Sequence, residues 1–380
     1  HARIIAEPSH KAIVFLAGDS TMDNKHYLFK GYERRCMKTG HEAKARQMAD
    51  PDVTAPATRA YNRVLEPPRM VRDIAFHLSD LAPEGVCALN CAVEESTIDD
   101  RATGLLAHDE FIRDHLTADD YVIVSMGGND LALKPTPATI INLLSLARAP
   151  DCTVGMQYLE WLFHHRIEET VGRMVAGAHK PKKVLVCMMY YLDERSGGSW
   201  ADRVLAAFGY DVEPAKLQQI ISTLFDHINA RGFSVDGTQV EAFPMFRVLD
   251  GKDTADYVQR VEPSVQGGRK LASALVAALC PDAAASSAAA PAIAAATVPA
   301  APAAPSSDSD AGASLDDWIA ENKMDKYKVS LLRLVSDLED LKQITDDDVA
   351  EFANESEIPK LPLRRFKKAL TGLGVAITTD

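Results

Sequence analysis

Residues 1–282 predict an α/β fold, a parallel sheet with helices on both faces in three layers. Two observations carry that expectation. Short apolar runs such as KAIVFLA (11–17) and DYVIVSMG (120–127) read as strands buried on both faces. They alternate with stretches of helical period, the order that builds a parallel sheet. A third observation bounds the domain. Residues 283–314 are almost wholly Ala, Pro and Ser, without an aromatic residue to anchor a core, and this composition predicts a flexible linker. The linker's spaced prolines exclude one long helix. As a coil it would span roughly 30 Å, and about 100 Å if drawn into polyproline II.

Taken in order, KAIVFLA opens the sheet. PPRMVRDIAFHLSDLA (67–82) has an amphipathic period and a proline start, which predicts a helix. GVCALN (85–90) is the second strand, followed by a helix over about 100–116 and the third strand, DYVIVSMG. A long helix is expected within 155–178, then a strand in KKVLVCMMYY (182–191). Pro214 starts a helix reaching about residue 229, a short strand lies in TQVEAF (238–243), and a helix over 264–279 closes the domain. Such sheets hold their sites in the loops beyond the strands' carboxyl ends.

The formal net charge of -13 argues against nucleic acid or anionic lipid as a main partner. Hydrophobic residues at 47% and charged residues at 25% fit a soluble globular protein. No apolar run approaches the ~20 residues of a membrane span. The chain starts at His1 rather than Met, which leaves a preceding leader open, and no signal peptide is visible in what remains. Six cysteines (Cys36, Cys87, Cys91, Cys152, Cys187 and Cys280) show no C-x-x-C pair. Several lie in strand-like runs, so buried free thiols in a reducing, cytoplasmic setting are expected.

Three loops carry chemistry. The first strand runs into AGDSTMDN, which puts Ser20 on a strand-to-helix turn with its hydroxyl above the sheet. The second ends in NCAVEEST (90–97). The third ends in SMGGNDLAL, where Gly127 and Gly128 permit a tight turn and Asn129 can point an amide at a developing oxyanion. A fourth segment, QRVEPSVQGGRKLA (259–272), leads into the last helix. In this order the four blocks resemble the GDSL-type (SGNH) hydrolase family over about residues 11–280. The resemblance implies a flavodoxin-like three-layer fold and an esterase. Ser20 would be the nucleophile, Asn129 an oxyanion donor, and the backbone N–H groups of Ser20 and Glu95 the other donors. Asp19, Gly128 and Asp130 would support them.

The departures fall in two blocks. Ala92 and Glu95 replace the middle block's two glycines, and Glu95 brings a carboxylate to where negative charge develops, which is unfavourable unless its side chain turns away. In the last block the family has Asp-x-x-His-Pro. Here Gln259 stands in the aspartate's place and Glu262 in the histidine's. Two readings of Glu262 are compatible with the sequence. It is a variant general base with a pKa raised by Asp19, Glu94, Glu95 and Asp130, or it pairs internally with Arg260 or Lys25 and catalysis is lost. In the second case the fold is a ligand-binding or scaffold protein. His26 and His108 are the other histidines to consider, both read as surface or capping residues. The acids could attract a cationic substrate or a divalent metal, but residues such as Asp99 and Asp100 read as helix caps. No metal and no cofactor is assigned.

Residues 315–377 read as helical throughout, with Trp318, Tyr327, Leu331, Leu338, Val349, Phe366 and Leu370 among the expected core. Their order resembles a sterile alpha motif domain, which implies a protein partner or self-association. Basic RRFKK (364–368) and acidic TDDDVAEF (345–352) offer complementary patches. The expected partners are thus a small-molecule ester and a protein, without nucleic acid or a membrane span.

Overall fold

The computed structural model describes residues 1–28, 50–136, 155–281 and 360–372, with isolated positions at 139, 142, 143, 146, 318, 322, 346, 349, 353 and 375. The chain divides into two compact units, 1–294 and 295–380. The linker, Cys36 and Cys152 lie outside the described residues, as does most of the acidic patch.

The first unit holds five parallel strands: β1 (Ala12–Gly18), β2 (Val86–Asn90), β3 (Tyr121–Ser125), β4 (Lys183–Met188) and β5 (Val240–Pro244), in the order β2-β1-β3-β4-β5. This is the doubly wound 2-1-3-4-5 order, whose switch point lies between β1 and β3. All seven residues of β1 are buried because both faces of the sheet are covered. Ile13, Phe15 and Ala17 face one cluster and Val14 and Leu16 the other. Helices α1 (Ile74–Leu81), α2 (Ala107–His115), α4 (Pro214–Arg231) and α5 (Val265–Leu279) flank the sheet. A longer helix, α3, runs continuously through Met156–Glu160, a π-helical stretch at Trp161–Arg166, and Ile167–Met174. Helices α2, α3 and α4 cover one face, and α1 and α5 the other. The expected α/β/α layering is what forms.

Two helix boundaries differ from the sequence expectation. Arg69–Val71 is not helical; it pairs antiparallel with Thr54–Pro56, and α1 begins only at Ile74. Asp73 fixes that start by accepting the Phe76 N–H at 2.8 Å. The helix expected over 100–116 is broken as well. Asp99–Arg101 forms a 3-10 turn and α2 opens at Ala107, because Arg101 turns its fully buried side chain inward to Asp109. Helix α5 opens on Ser264, whose hydroxyl accepts the Gly267 N–H at 3.1 Å. A Cβ on Gly267 would stand 2.1 Å from the Asp256 carbonyl, so only glycine lets this helix lie against residues 254–256.

In the second unit, Trp318 packs edge-on against Phe366 at 6.2 Å, with Val349, Leu370 and Val375 also buried. Phe366 and Leu370 come from helix α6 (Lys360–Gly372). No helix among the described residues is long and apolar enough to cross a membrane. Cys87, Cys91 and Cys187 are buried free thiols and Cys280 is half-buried.

Candidate active site

The carboxyl end of β1 is held by glycine chemistry. Gly18 has φ +119°, and a Cβ there would lie 1.6 Å from the Ser125 carbonyl oxygen. Only glycine lets β1 and β3 come together at the switch point. The Asp19 N–H donates to that same carbonyl at 3.0 Å, and the Gly18 carbonyl accepts the Val93 N–H at 3.0 Å. The three loops are thereby tied together directly beneath Ser20.

Ser20 is 9% exposed and Glu262 5%. Their side chains meet: Ser20 Oγ donates to Glu262 Oε1 at 2.8 Å. Glu262 Oε2 is buried without a hydrogen-bond partner among the described residues. Burial pushes the Glu262 carboxyl up to about 8, with Asp19 and Glu94 adding to the shift and the Ser20 hydrogen bond opposing it. Asp19 rises to about 6, mainly through burial, against its hydrogen bonds from Thr21. Burial also raises Glu94 and Asp130.

The internal ion pair is not formed. Arg260 directs its guanidinium to Asp202 and Asp211, each at 2.9 Å, and Lys25 pairs with Asp23 and Asp73. Both cations are engaged by nearer carboxylates and leave Glu262 to Ser20.

Three donors are available near the hydroxyl's loops. Asn129 Nδ2 donates one hydrogen to the Ser96 carbonyl at 3.0 Å, and its second N–H has no acceptor among the described residues. The backbone N–H groups of Ser20 and Glu95 make no hydrogen bond among the described residues. Glu95 takes φ +60°, the left-handed conformation that suits glycine. Its side chain is exposed, so its carboxylate is turned to solvent.

Of the supporting residues, Gly128 stands near the Asp19 carboxylate, with a Cβ there meeting Asp19 Oδ2 at 3.9 Å. Asp130 accepts the N–H groups of Ile98 and Asp99 at 2.9 and 3.3 Å, bracing the middle loop. Gln259 is not brought in. It is exposed at φ +51° and gives only its carbonyl, to Ser199 Oγ at 2.7 Å. Among the described residues, no side chain other than Ser20 hydrogen-bonds the Glu262 carboxyl. His108 is exposed beside His1. His26 is half-buried near Glu95 and Asp23, which partly offset the lowering of its pKa by burial.

Sequence reasoning missed the braces. Arg101 is fully buried, bound through Nε to Asp109 at 2.7 Å and through Nη1 to Ser96 Oγ and the Thr97 carbonyl at 3.1 and 2.8 Å. Tyr190 donates to the Val261 carbonyl at 2.5 Å and Asn24 to the Pro263 carbonyl at 2.5 Å, bracketing Glu262 on both sides. Arg101 in an otherwise helix-like stretch gave no local signal. Asn24 did lie within the quoted GDSTMDN block. A cavity of about 110 Å³ beside Asp130, bordered by Tyr158, Trp161 and Thr139, puts α3 next to the third loop. Among the described residues, no three His, Cys, Asp or Glu side chains converge as metal ligands.

No family model and no curated protein matches the chain. Among solved structures it is similar to Est24, a carbohydrate acetylesterase from Sinorhizobium meliloti (17% identity, TM-score 0.37, covering 71% of this chain and 99% of that one). It is also similar to an aryl esterase from M. smegmatis (17%, TM-score 0.34, 71% and 98%) and to Axe2, an acetylxylan esterase from Geobacillus stearothermophilus (15%, TM-score 0.31, 71% and 94%). Likeness at this level assigns no activity.

Proposed function

We propose that the first unit is a serine hydrolase acting on a small-molecule ester through an acyl-enzyme on Ser20, with Glu262 as general base. The observation that carries this reading is the 2.8 Å hydrogen bond from Ser20 Oγ to Glu262 Oε1 at the carboxyl edge of the sheet. Ser20 Oγ attacks the ester carbonyl as its proton passes to Glu262. The oxyanion takes hydrogen bonds from the free N–H of Asn129 and the backbone N–H groups of Ser20 and Glu95. The tetrahedral intermediate collapses, and the departing alkoxide recovers the proton from Glu262 as the alcohol. Water then attacks the acyl-enzyme with the same proton relay, releasing the acid and restoring Ser20. A buried carboxylate of raised pKa is a stronger base than free glutamate, which supports the role without an orienting partner.

A fluorophosphonate probe followed by intact-protein mass spectrometry tests this. Labelling of the parent at pH 8–9 and none of Ser20→Ala is expected. No adduct across pH 5–9 on folded protein would turn the reading to a ligand-binding scaffold. For residues 315–377 we propose self-association between the basic residues 364–368 within α6 and the acidic 345–352 stretch. Sedimentation of the full chain against one ending at residue 282 would then show association that weakens with salt.

A further inference from the structure

We propose that Arg260 is a positioning residue that clamps the tip of the 257–263 hairpin onto residues 193–211 and so holds Glu262 against Ser20. The inference rests on the reading of Ser20 and Glu262 as nucleophile and base.

The hairpin carrying Glu262 cannot hold its own shape. It has two residue pairs, Tyr257 with Pro263 and Val258 with Glu262, and an isolated pair of this length is not stable in water. Its turn places Gln259 and Arg260 at φ +51° and +62°, two consecutive non-glycine residues in the left-handed region. Contacts from outside must fix it.

Those contacts converge on Arg260. Its Nε donates to the Asp193 carbonyl at 3.1 Å, Nη1 to Asp202 Oδ1 and Nη2 to Asp211 Oδ1 at 2.9 Å each. Its own carbonyl accepts the Asp193 N–H at 3.0 Å. Asp202 is fixed in turn, because its Oδ2 accepts the N–H groups of Gly197, Gly198 and Ser199. The neighbouring Val261 packs on Ala201, Leu205 and Tyr210. Tyr190 and Asn24 hold the carbonyls that flank Glu262, and at the turn Ser199 Oγ holds the Gln259 carbonyl at 2.7 Å while the guanidinium fork anchors Arg260 to three acceptors. A lysine ammonium could meet one carboxylate, though not two carboxylates and a carbonyl in one plane.

The groups facing Glu262 are Ser20 and Asp19 at the end of β1, Glu94 after β2 and Tyr190 after β4. Arg260 faces Asp202 and Asp211 instead, so its loss reaches Glu262 through geometry rather than charge. Loosening the hairpin admits water to the unpartnered Oε2.

The test uses the full chain as Arg260→Met and Arg260→Lys, with two readouts: fluorophosphonate labelling of Ser20 at pH 7–9, and infrared titration of the Glu262 carboxyl, identified by its loss in Glu262→Gln. Folded Arg260→Met is expected to label ~10²-fold more slowly, the cost of a misplacement near 1 Å. Its Glu262 midpoint should fall towards that of an ordinary glutamate, and Arg260→Lys should recover part of both. Where Arg260→Met does not fold, the double variant Asp202→Asn, Asp211→Asn is read in the same way. A folded variant with the parent's midpoint and labelling rate overturns the proposal, as does lowered thermal stability with the midpoint unmoved. If the parent itself never labels, the esterase reading fails, and the Glu262 titration still decides the clamp.

Discussion

Glu262 engages Ser20 through one carboxylate oxygen and leaves the other buried and unpartnered. The usual serine–histidine pair leans on an acid that orients the base. Here Glu262 is held by the backbone on either side of it, fixed by Tyr190 and Asn24.

The rate should therefore follow one ionisation. On the proposed reading only the Glu262 carboxylate accepts the serine proton, so ester turnover is expected to rise with pH and level off above about 8. At pH 7 about a tenth of the molecules would hold the base in its active form. Glu262→Gln keeps the shape without the basicity and should cost ~10²–10⁴ in turnover. A pH–rate profile of both proteins checks this, and a variant as fast as the parent would place the base elsewhere, with His26 and His108 next to replace.

The same carboxyl makes stability pH-dependent. The folded state keeps its proton to about 8, whereas the unfolded chain loses it near the ordinary value of 4.5. Between those limits the folded state binds more protons, so stability falls as pH rises from about 4.5 to 8 and then levels. Asp19, raised to about 6, adds a loss of the same sign at lower pH. Glu262→Gln should melt close to the parent at pH 4 and above it at pH 9, by a difference worth a few kcal/mol at about 1.4 kcal/mol per pKa unit. Melting curves across that range test the sign.

Gly18→Ala should abolish the folded state. The new methyl group would overlap the Ser125 backbone at 1.6 Å in a conformation that alanine rarely adopts. A loss above about 4 kcal/mol is expected, at the far end of single-residue effects. Gly104→Ala is the control: its Cβ meets nothing within 4 Å, and the melting temperature should barely move.

Installing the residues of the GDSL-type family that the sequence resembles should fail in an instructive way. Glu262→His supplies an imidazole, and Gln259→Asp in principle supplies its partner. Residue 259, however, points to solvent from a left-handed turn. Adding Gln259→Asp to Glu262→His should change turnover by less than about threefold, since an exposed, screened carboxylate is worth little. A much larger gain would mean that the turn rearranges around the new pair.

The sequence by itself determined the layers and the place of the candidate site. Runs such as AIVFLA (12–17) are apolar at every position, which suits a strand covered on both faces, and their alternation with stretches of helical period orders the layers. GDS, GGND and the glycines around them marked the loops because backbone geometry at Gly18 and Gly127 admits no side chain, and such constraints show locally in the residues themselves. The tertiary structure decided what Glu262 does. Its partner is 242 residues away, and nothing near it in the chain excluded the ion pair with Arg260. That pair is absent because Asp202 and Asp211, 58 and 49 residues away, reach Arg260. Burial, which sets the basicity of Glu262, depends on everything packed around it. Local sequence encodes period and turn, while charge pairing and desolvation belong to the assembled fold.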